Sequence, residues 1–268
     1  MRAVAILATY NEQRFISVCL ESLFRQGVEV YLVDNCSTDT TVEIARRYLN
    51  NGLIGVETLQ RDGAFALKPQ LRRKEELVAE LDADWFIHVD ADEIRLPPPG
   101  HGSLVEAFAR AESEGYNAVN FIEYSFVPTR ENPDHDHDDF QTTMQWYYPF
   151  IPKFPHRLNA WKKQSVPVDL LTDSGHRVKF PGLKMYPTSF AMKHYLILSR
   201  EQAIRKYVNR GFDSSEVETG MHRARVRMKP DSMELPSQTE LRTFISDDLL
   251  NSSNPRTKHF WIEQKAVL

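Results

Sequence analysis

The chain has 268 residues, 41% of them hydrophobic and 26% charged, with a net charge of −4. That length supports one large domain or a domain with a substantial appendage, and the mildly acidic balance gives no electrostatic case for nucleic acid as the main partner. No apolar run approaches the roughly 20 residues that span a bilayer, and the apolar stretch after Met1 is too short for a signal peptide, so a first strand is expected there.

From Ala3 to Val89 short apolar strands alternate with amphipathic helices, the signature of a parallel sheet built from βαβ units and hence of the α/β class. A strand over 4–7 leads to a helix that carries Phe15, Cys19 and Leu23 at intervals of four, with Ile16, Leu20 and Phe24 beside them. After Gly27 a strand over 28–33 follows. The next helix starts near Thr40, where Thr40 and Glu43 suit a capping box, and turns Val42, Ala45 and Leu49 inward. A strand over 56–59 precedes a third helix, roughly 71–81, which packs Leu71, Val78 and Leu81 and shows Arg72, Arg73 and Lys74 near its start. The strand 85–89 closes the series.

Beyond Glu93 the pattern changes. Pro97-Pro98-Pro99-Gly100 is a stiff break before a helix capped by Ser103 and Glu106, and 118–121 reads as another strand. Residues 128–189 are rich in Pro, His and aromatics with weak periodicity, which predicts loops and short strands without a separate core. A helix over 200–210, capped by Ser199 with Gln202, buries Ala203, Ile204, Tyr207 and Val208. The last forty residues are polar and close with His259-Phe260-Trp261-Ile262, which either packs back as a tail or mediates self-association. Cys19 and Cys36 form neither a disulfide framework nor a zinc spacing, so a reducing compartment is expected.

The chemistry concentrates in Asp84-Trp85-Phe86-Ile87-His88-Val89-Asp90-Ala91-Asp92-Glu93. If the backbone stays extended, Asp90 and Asp92 project to the same side with Ala91 leaving space between them, and their oxygens can share a hard cation. Magnesium is held in this way by one or two carboxylates plus the phosphates of a substrate. The competing reading is a solvated Asp-rich turn, which is common after a strand.

Three segments together go further: Leu7-Ala8-Thr9-Tyr10-Asn11-Glu12, Val33-Asp34-Asn35-Cys36-Ser37-Thr38-Asp39 and Asp90-Ala91-Asp92-Glu93. In this order and spacing they resemble the family 2 glycosyltransferases of the GT-A fold, over roughly the first 95 residues. Lys193-His194-Tyr195 followed by Ser199-Arg200-Glu201-Gln202-Ala203 is similar to the closing segment of bacterial members. The resemblance implies a Rossmann-like, mixed but mostly parallel sheet flanked by helices, with a C-terminal acceptor-side extension. It divides the chain into a nucleotide-sugar-binding part (1–95), the acceptor side of the same domain (96–212) and a helical or looped tail (213–268).

Carried over, it implies that Thr9, Tyr10, Asn11 and Glu12 line the nucleotide pocket and that Asp34 and Asn35 meet the nucleobase. A carboxylate can accept from a ring N–H of uracil or guanine. Ser37 to Asp39 read mainly as a cap before Thr40. Asp90 and Ala91 would lie near the ribose, Asp90 and Asp92 would hold Mn2+ or Mg2+, and His194 is the candidate third ligand. Arg72 is the basic residue expected near the nucleotide, with Lys68 and Arg73 beside it.

An inverting transfer also needs a carboxylate base. The Glu-Asp pair frequent in the middle of the family is not evident here, and the candidates are Glu123, Asp138 and Asp169, with Asp139 beside them. Asp134-His135-Asp136-His137-Asp138-Asp139 reads as a flexible acidic loop in preference to a second metal cluster, and Gly175-His176-Arg177 is a candidate for facing the acceptor or diphosphate. A Gln-X-X-Arg-Trp motif of processive synthases is absent, so transfer of single sugars is expected, to a glycan, lipid-linked or small-molecule acceptor. The setting expected from the resemblance is cytoplasmic, including the inner face of the membrane. A nucleotidyltransferase is one rival, although Thr9-Tyr10-Asn11-Glu12 is not a Gly-rich phosphate loop. The other is a non-catalytic nucleotide- or sugar-binding module of the same fold.

Overall fold

The computed structural model describes residues 1–260 apart from 220, 223–225, 227, 228, 231 and 232, so Trp261 and Ile262 of the closing segment lie outside the described residues. Two compact units are present: Met1–Gln60, Leu67–Glu123 and Phe154–Lys193 in the first, and Arg61–Ala66, Tyr124–Lys153 and His194–Leu268 in the second.

The first unit opens with β1 (Ala3–Thr9), α1 (Ile16–Arg25), β2 (Val28–Asp34), α2 (Thr41–Arg46), β3 (Leu53–Thr58), α3 (Leu67–Glu80) and β4 (Trp85–Val89). β1 and β4 are apolar along almost their whole length because helices cover both faces of a parallel sheet, so alternation is suppressed. Their order is β3-β2-β1-β4, all parallel. The chain therefore steps outward from β1 to β3 and returns to the other side of β1, which makes the carboxyl ends of β1 and β4 a topological switch point. Ligand crevices of open α/β sheets lie there.

Next come β5 (Glu93–Leu96), α4 (Leu104–Ser113) and β6 (Ala118–Phe126), and later β8 (Arg157–Lys162) and β9 (Phe190–Tyr195), with α5 (Phe140–Thr143) and β7 (Trp146–Phe150) between them. β8 is antiparallel to β4 and to β6, so the sheet is mixed but mostly parallel in its centre. β9 pairs with β5. Val4, Ile6, Val33, Leu71, Leu77, Phe86, Leu158 and Trp161 belong to one core cluster, and Trp85 stacks on Phe108 at 4.9 Å with its indole N–H donating to Glu112. Burying one large apolar side chain of this kind contributes roughly 1.5–3 kcal/mol.

Several boundaries differ from the sequence reading for local reasons. α3 begins at Leu67 because Pro69 falls in the first turn, where a missing N–H breaks no intrahelical bond. The Thr40–Glu43 capping box does not form; Asp39 takes that role, its Oδ1 accepting from the Thr41 backbone at 2.9 Å. The Ser103–Glu106 box does form.

The second unit contains the end of β6, α5, β7, α6 (Arg200–Ala203), α7 (Ser214–Glu218) and β10 (Arg242–Thr243), the last antiparallel to β7. The helix expected over 200–210 is α-helical only as far as Ala203 and then widens into a π-helical turn, Ile204–Val208, closed by the Asn209 N–H on the Ile204 carbonyl. Contrary to the expectation of loops without a core, Val127, Tyr148 and Phe150 join Leu196, Ile197, Ala203 and Tyr207 in a buried cluster of this unit. Among the described residues no helix is long and apolar enough to cross a membrane.

Candidate functional site

At the carboxyl edge of β1 and β2 the loops are stitched together by short polar side chains. Asn11 and Cys36 adopt left-handed backbone angles (φ 56° and 61°), which turn their segments out of the sheet. Asn11 Oδ1 accepts from the Thr38 N–H at 2.7 Å, its own N–H donates to Ser37 Oγ at 2.9 Å, and Glu12 N–H donates to Thr41 Oγ1 at 2.8 Å. Ser37 to Asp39 are thus structural partners of the first loop. Asp34, only 3% exposed, accepts from the Ser37 N–H through Oδ2 at 3.0 Å, whereas among the described residues Oδ1 meets only the Thr9 hydroxyl at 3.5 Å. A carboxylate can accept about four hydrogen bonds, so Asp34 retains capacity for an incoming N–H. Asn35 is held by its amide to the Leu59 carbonyl and by Gln70. Tyr10 and Glu12 are half-buried beside this edge.

The β4 edge is built differently. The strand ends at Val89, and Asp90 to Glu93 form a turn closed by the Glu93 N–H on the Asp90 carbonyl at 3.2 Å. The extended geometry assumed for Asp90 and Asp92 is therefore corrected: Asp90 is exposed, Ala91 is buried, and Asp92 is 6% exposed. Glu93 Oε2 accepts from the Asp90 N–H at 3.1 Å and from the buried Arg95 guanidinium, which also donates to the His88 carbonyl and to Asn159 Oδ1. From the helix side, Lys74 Nζ donates to the Val89 carbonyl at 3.2 Å and lies 3.0 Å from His88 Nδ1. Burial pushes the Lys74 ammonium down to about 8 and the His88 imidazole well below its ordinary value. Although Asp90 reaches solvent, the protein packed around its base partly desolvates the carboxyl and would raise it, but His88, Lys74 and Arg157 outweigh both that and the Asp92 charge and hold it below the usual range.

Of the consecutive basic residues Arg72, Arg73 and Lys74, it is Lys74 that reaches this edge. Arg72 is exposed and Arg73 is engaged with Glu57, Glu76 and Glu80 on the outer face of α3. The signal was present in the helical phase: Lys74 lies three residues from Leu71 and from Leu77 and four from Gln70 and Val78, all buried.

A second buried chain of charges lies in β6, β8 and the loop after β8. Glu123 Oε2 accepts from Arg157 Nε and Nη2 at 3.2 and 3.0 Å and contacts His156 Nε2 at 2.8 Å. Glu123, expected as a base, is 0% exposed, so none of its atoms faces an incoming hydroxyl. Asp169, a second base candidate, spends both oxygens on Thr172. The third, Asp138, is an exposed residue of the second unit, where His194 is also found, buried on β9. In the loop 134–139, His135 and His137 both contact Thr143 Oγ1, and Asp136 pairs with Arg205. Among the described residues no group of three or more His, Cys, Asp or Glu is gathered to hold a metal ion.

The sequence pattern of the family described as Glycosyl transferase family 2 matches residues 4–169, which include β1 to β4 and both polar edges. The chain belongs to glycosyltransferase family 2. Its mostly parallel sheet, bordered by antiparallel β8 and β6, is the GT-A fold that the resemblance implied. Poly(ribitol-phosphate) beta-N-acetylglucosaminyltransferase TarS of Staphylococcus aureus (strain Mu50 / ATCC 700699) is 34% identical over 97 residues, covering 33% of this chain and 17% of that protein. The aligned part is thus under a fifth of the curated relative's length. Among solved structures, S. aureus TarS 1-349 matches at a TM-score of 0.43 and 15% identity, covering 90% of this chain and 77% of the other. Glucosyl-3-phosphoglycerate synthase from Mycobacterium tuberculosis, in complex with Mn2+, UDP and phosphoglyceric acid, matches at 0.31 and 18%, covering 46% and 43%.

Proposed function

We propose that this member of family 2 is an inverting glycosyltransferase that moves one sugar from a nucleoside-diphosphate sugar to a glycan, lipid-linked or small-molecule acceptor. The observation that carries the reading is the convergence, at the switch point of the sheet, of a buried Asp34 with unused acceptor capacity and an exposed Asp90 at the end of β4. Asp34 accepts a ring N–H of the base, with Asn35, Thr9 and Tyr10 around it, and Asn11 and Glu12 shape the loop. Arg72 lies outside this set.

The carboxylates of the Asp90–Asp92 turn are hard oxygen donors, which suits Mn2+ or Mg2+, and a cation of this kind needs only one or two of them when a diphosphate completes its shell. Asp90 and Asp92 would hold it. When bound, the cation supplies neutralisation of the diphosphate as it leaves. The chain's own contribution is to keep the turn in place through Glu93, Arg95 and Lys74. Of the three candidate bases, Asp138 is the exposed carboxylate.

The test is turnover of a donor panel with manganese, beginning with UDP-N-acetylglucosamine because the relative at 34% identity is named an N-acetylglucosaminyltransferase. Asp90→Asn and Asp92→Asn are expected to abolish transfer while circular dichroism stays unchanged. Full activity in both variants would overturn the metal assignment. Tight binding of a nucleoside diphosphate without transfer or hydrolysis would favour a binding module.

A further inference from the structure

His176 occupies a place that the reading above leaves without a role. It follows Gly175, whose backbone (φ 79°) packs so closely on His88 that an added Cβ would lie 2.9 Å from the imidazole Nε2. Only glycine satisfies both constraints. His88 and Asp90 are two residues apart at the end of β4, so this loop lies against the strand that delivers the Asp90 turn. Leu170 N–H donates to Glu75 Oε1 at 2.7 Å and anchors the start of the loop on α3. His176 is exposed, as Asp90 is, and the charge of Asp90 acts on its ring.

The ring's protonation pattern follows from its neighbour. Arg157 Nη1 contacts His176 Nδ1 while the rest of the guanidinium is held by Glu123. A guanidinium has donors and no acceptor, so the Nδ1 atom must be the acceptor and the single ring proton must sit on Nε2. Nδ1 has thus spent its lone pair and Nε2 carries a hydrogen, which leaves the ring no site to take a proton from an acceptor hydroxyl. A charged donor on Nδ1 also strengthens the opposite N–H as a donor. Among the described residues Nε2 has no hydrogen-bond partner, and the side chain is exposed.

We propose that His176, locked by Arg157 as the neutral Nε2–H tautomer, donates a hydrogen bond to a diphosphate oxygen of the nucleotide sugar held at the Asp90 turn. It is a ligand-binding donor and not the base of the reaction. Glu123 is its positioning residue, acting through Arg157. The assignment rests on the donor-site reading, and the experiment separates the two.

Long-range 1H–15N correlation spectra of the full chain, recorded without ligand, are expected to show His176 protonated at Nε2 and bare at Nδ1. Titration calorimetry with UDP, GDP, CDP and TDP in the presence of manganese then identifies the tightest nucleotide. With that nucleotide His176→Ala is expected to bind roughly 10- to 100-fold more weakly, the usual range for losing a hydrogen bond to a charged group. His176→Gln, which restores an N–H near Nε2, is expected to recover to within about threefold. The nucleotide is also expected to shift the His176 Nε2 resonance. An Nδ1–H or doubly protonated ring, or unchanged affinity in His176→Ala, overturns the assignment of His176. Failure of the unaltered protein to bind any of the four overturns the donor-site reading itself.

Discussion

The two edges of the switch point solve the same problem with different chemistry. At β1 and β2, neutral side chains such as Asn11, Ser37 and Thr41 join two loops through hydrogen bonds to backbone. At β4, charged groups are taken out of water and arranged around one turn: Lys74 and Arg95 below it, and Arg157 with Glu123 beside them. The first design tolerates loss of one partner, because water can replace it. The second does not, because a buried charge left alone pays its full desolvation cost.

The contrast is broken most directly at Arg95, which is 1% exposed. Arg95→Ala leaves Glu93 buried without its guanidinium and is expected to cost about 3–5 kcal/mol in urea denaturation. A loss below about 1 kcal/mol would show that water reaches the turn and that the two edges are alike. Lys74→Met comes next. It removes a buried cation that burial already weakens, but leaves the Val89 carbonyl without its donor, so a loss of about 1–3 kcal/mol is expected, together with weaker metal-dependent turnover.

On the other edge Asn11→Ala deletes the acceptor of the Thr38 N–H and places a Cβ-only residue at φ 56°, for an expected loss of about 1–2 kcal/mol. Asn11→Gly keeps the backbone angle and separates the two contributions. The smallest effect belongs to Asp173, in the loop that carries His176. Burial raises its carboxyl, but hydrogen bonds from Arg177 and Lys179 prevail and hold it below the ordinary value. With the folded value depressed, its contribution is present above the unfolded value near 3.9 and is lost as pH falls through the lower folded one. Asp173→Asn is expected to remove less than about 1 kcal/mol from the acid limb of the stability profile, measured by thermal melts between about pH 5 and 2.

The legibility of the site in the sequence followed the same division. Asp34, Asn11, Asp90 and Asp92 stand out in the sequence because loop motifs act through residues adjacent in the chain, although the turn that holds the last two does not. Lys74, Arg157 and His176 come from α3, β8 and a later loop, and no local pattern joins them. Arg72 was preferred to Lys74 because three consecutive basic residues look equivalent until the helical phase is fixed by what is buried. Glu123 was named as a base from its type, yet its partners His156 and Arg157 lie more than thirty positions away and enclose it.

Composition and periodicity by themselves determined an α/β sheet and its parallel start, because these depend on contacts within a βαβ unit, while the three loop motifs carried the resemblance to family 2 that the family match then showed. Tertiary structure alone decided that the aspartates lie in a turn, that the helix over 200–210 widens after Ala203, and that a buried charge network supports β4. Electrostatic and hydrogen-bond partners are chosen by proximity in space, and burial multiplies their energies. A residue's type announces that it can be charged, and only its surroundings determine what that charge does.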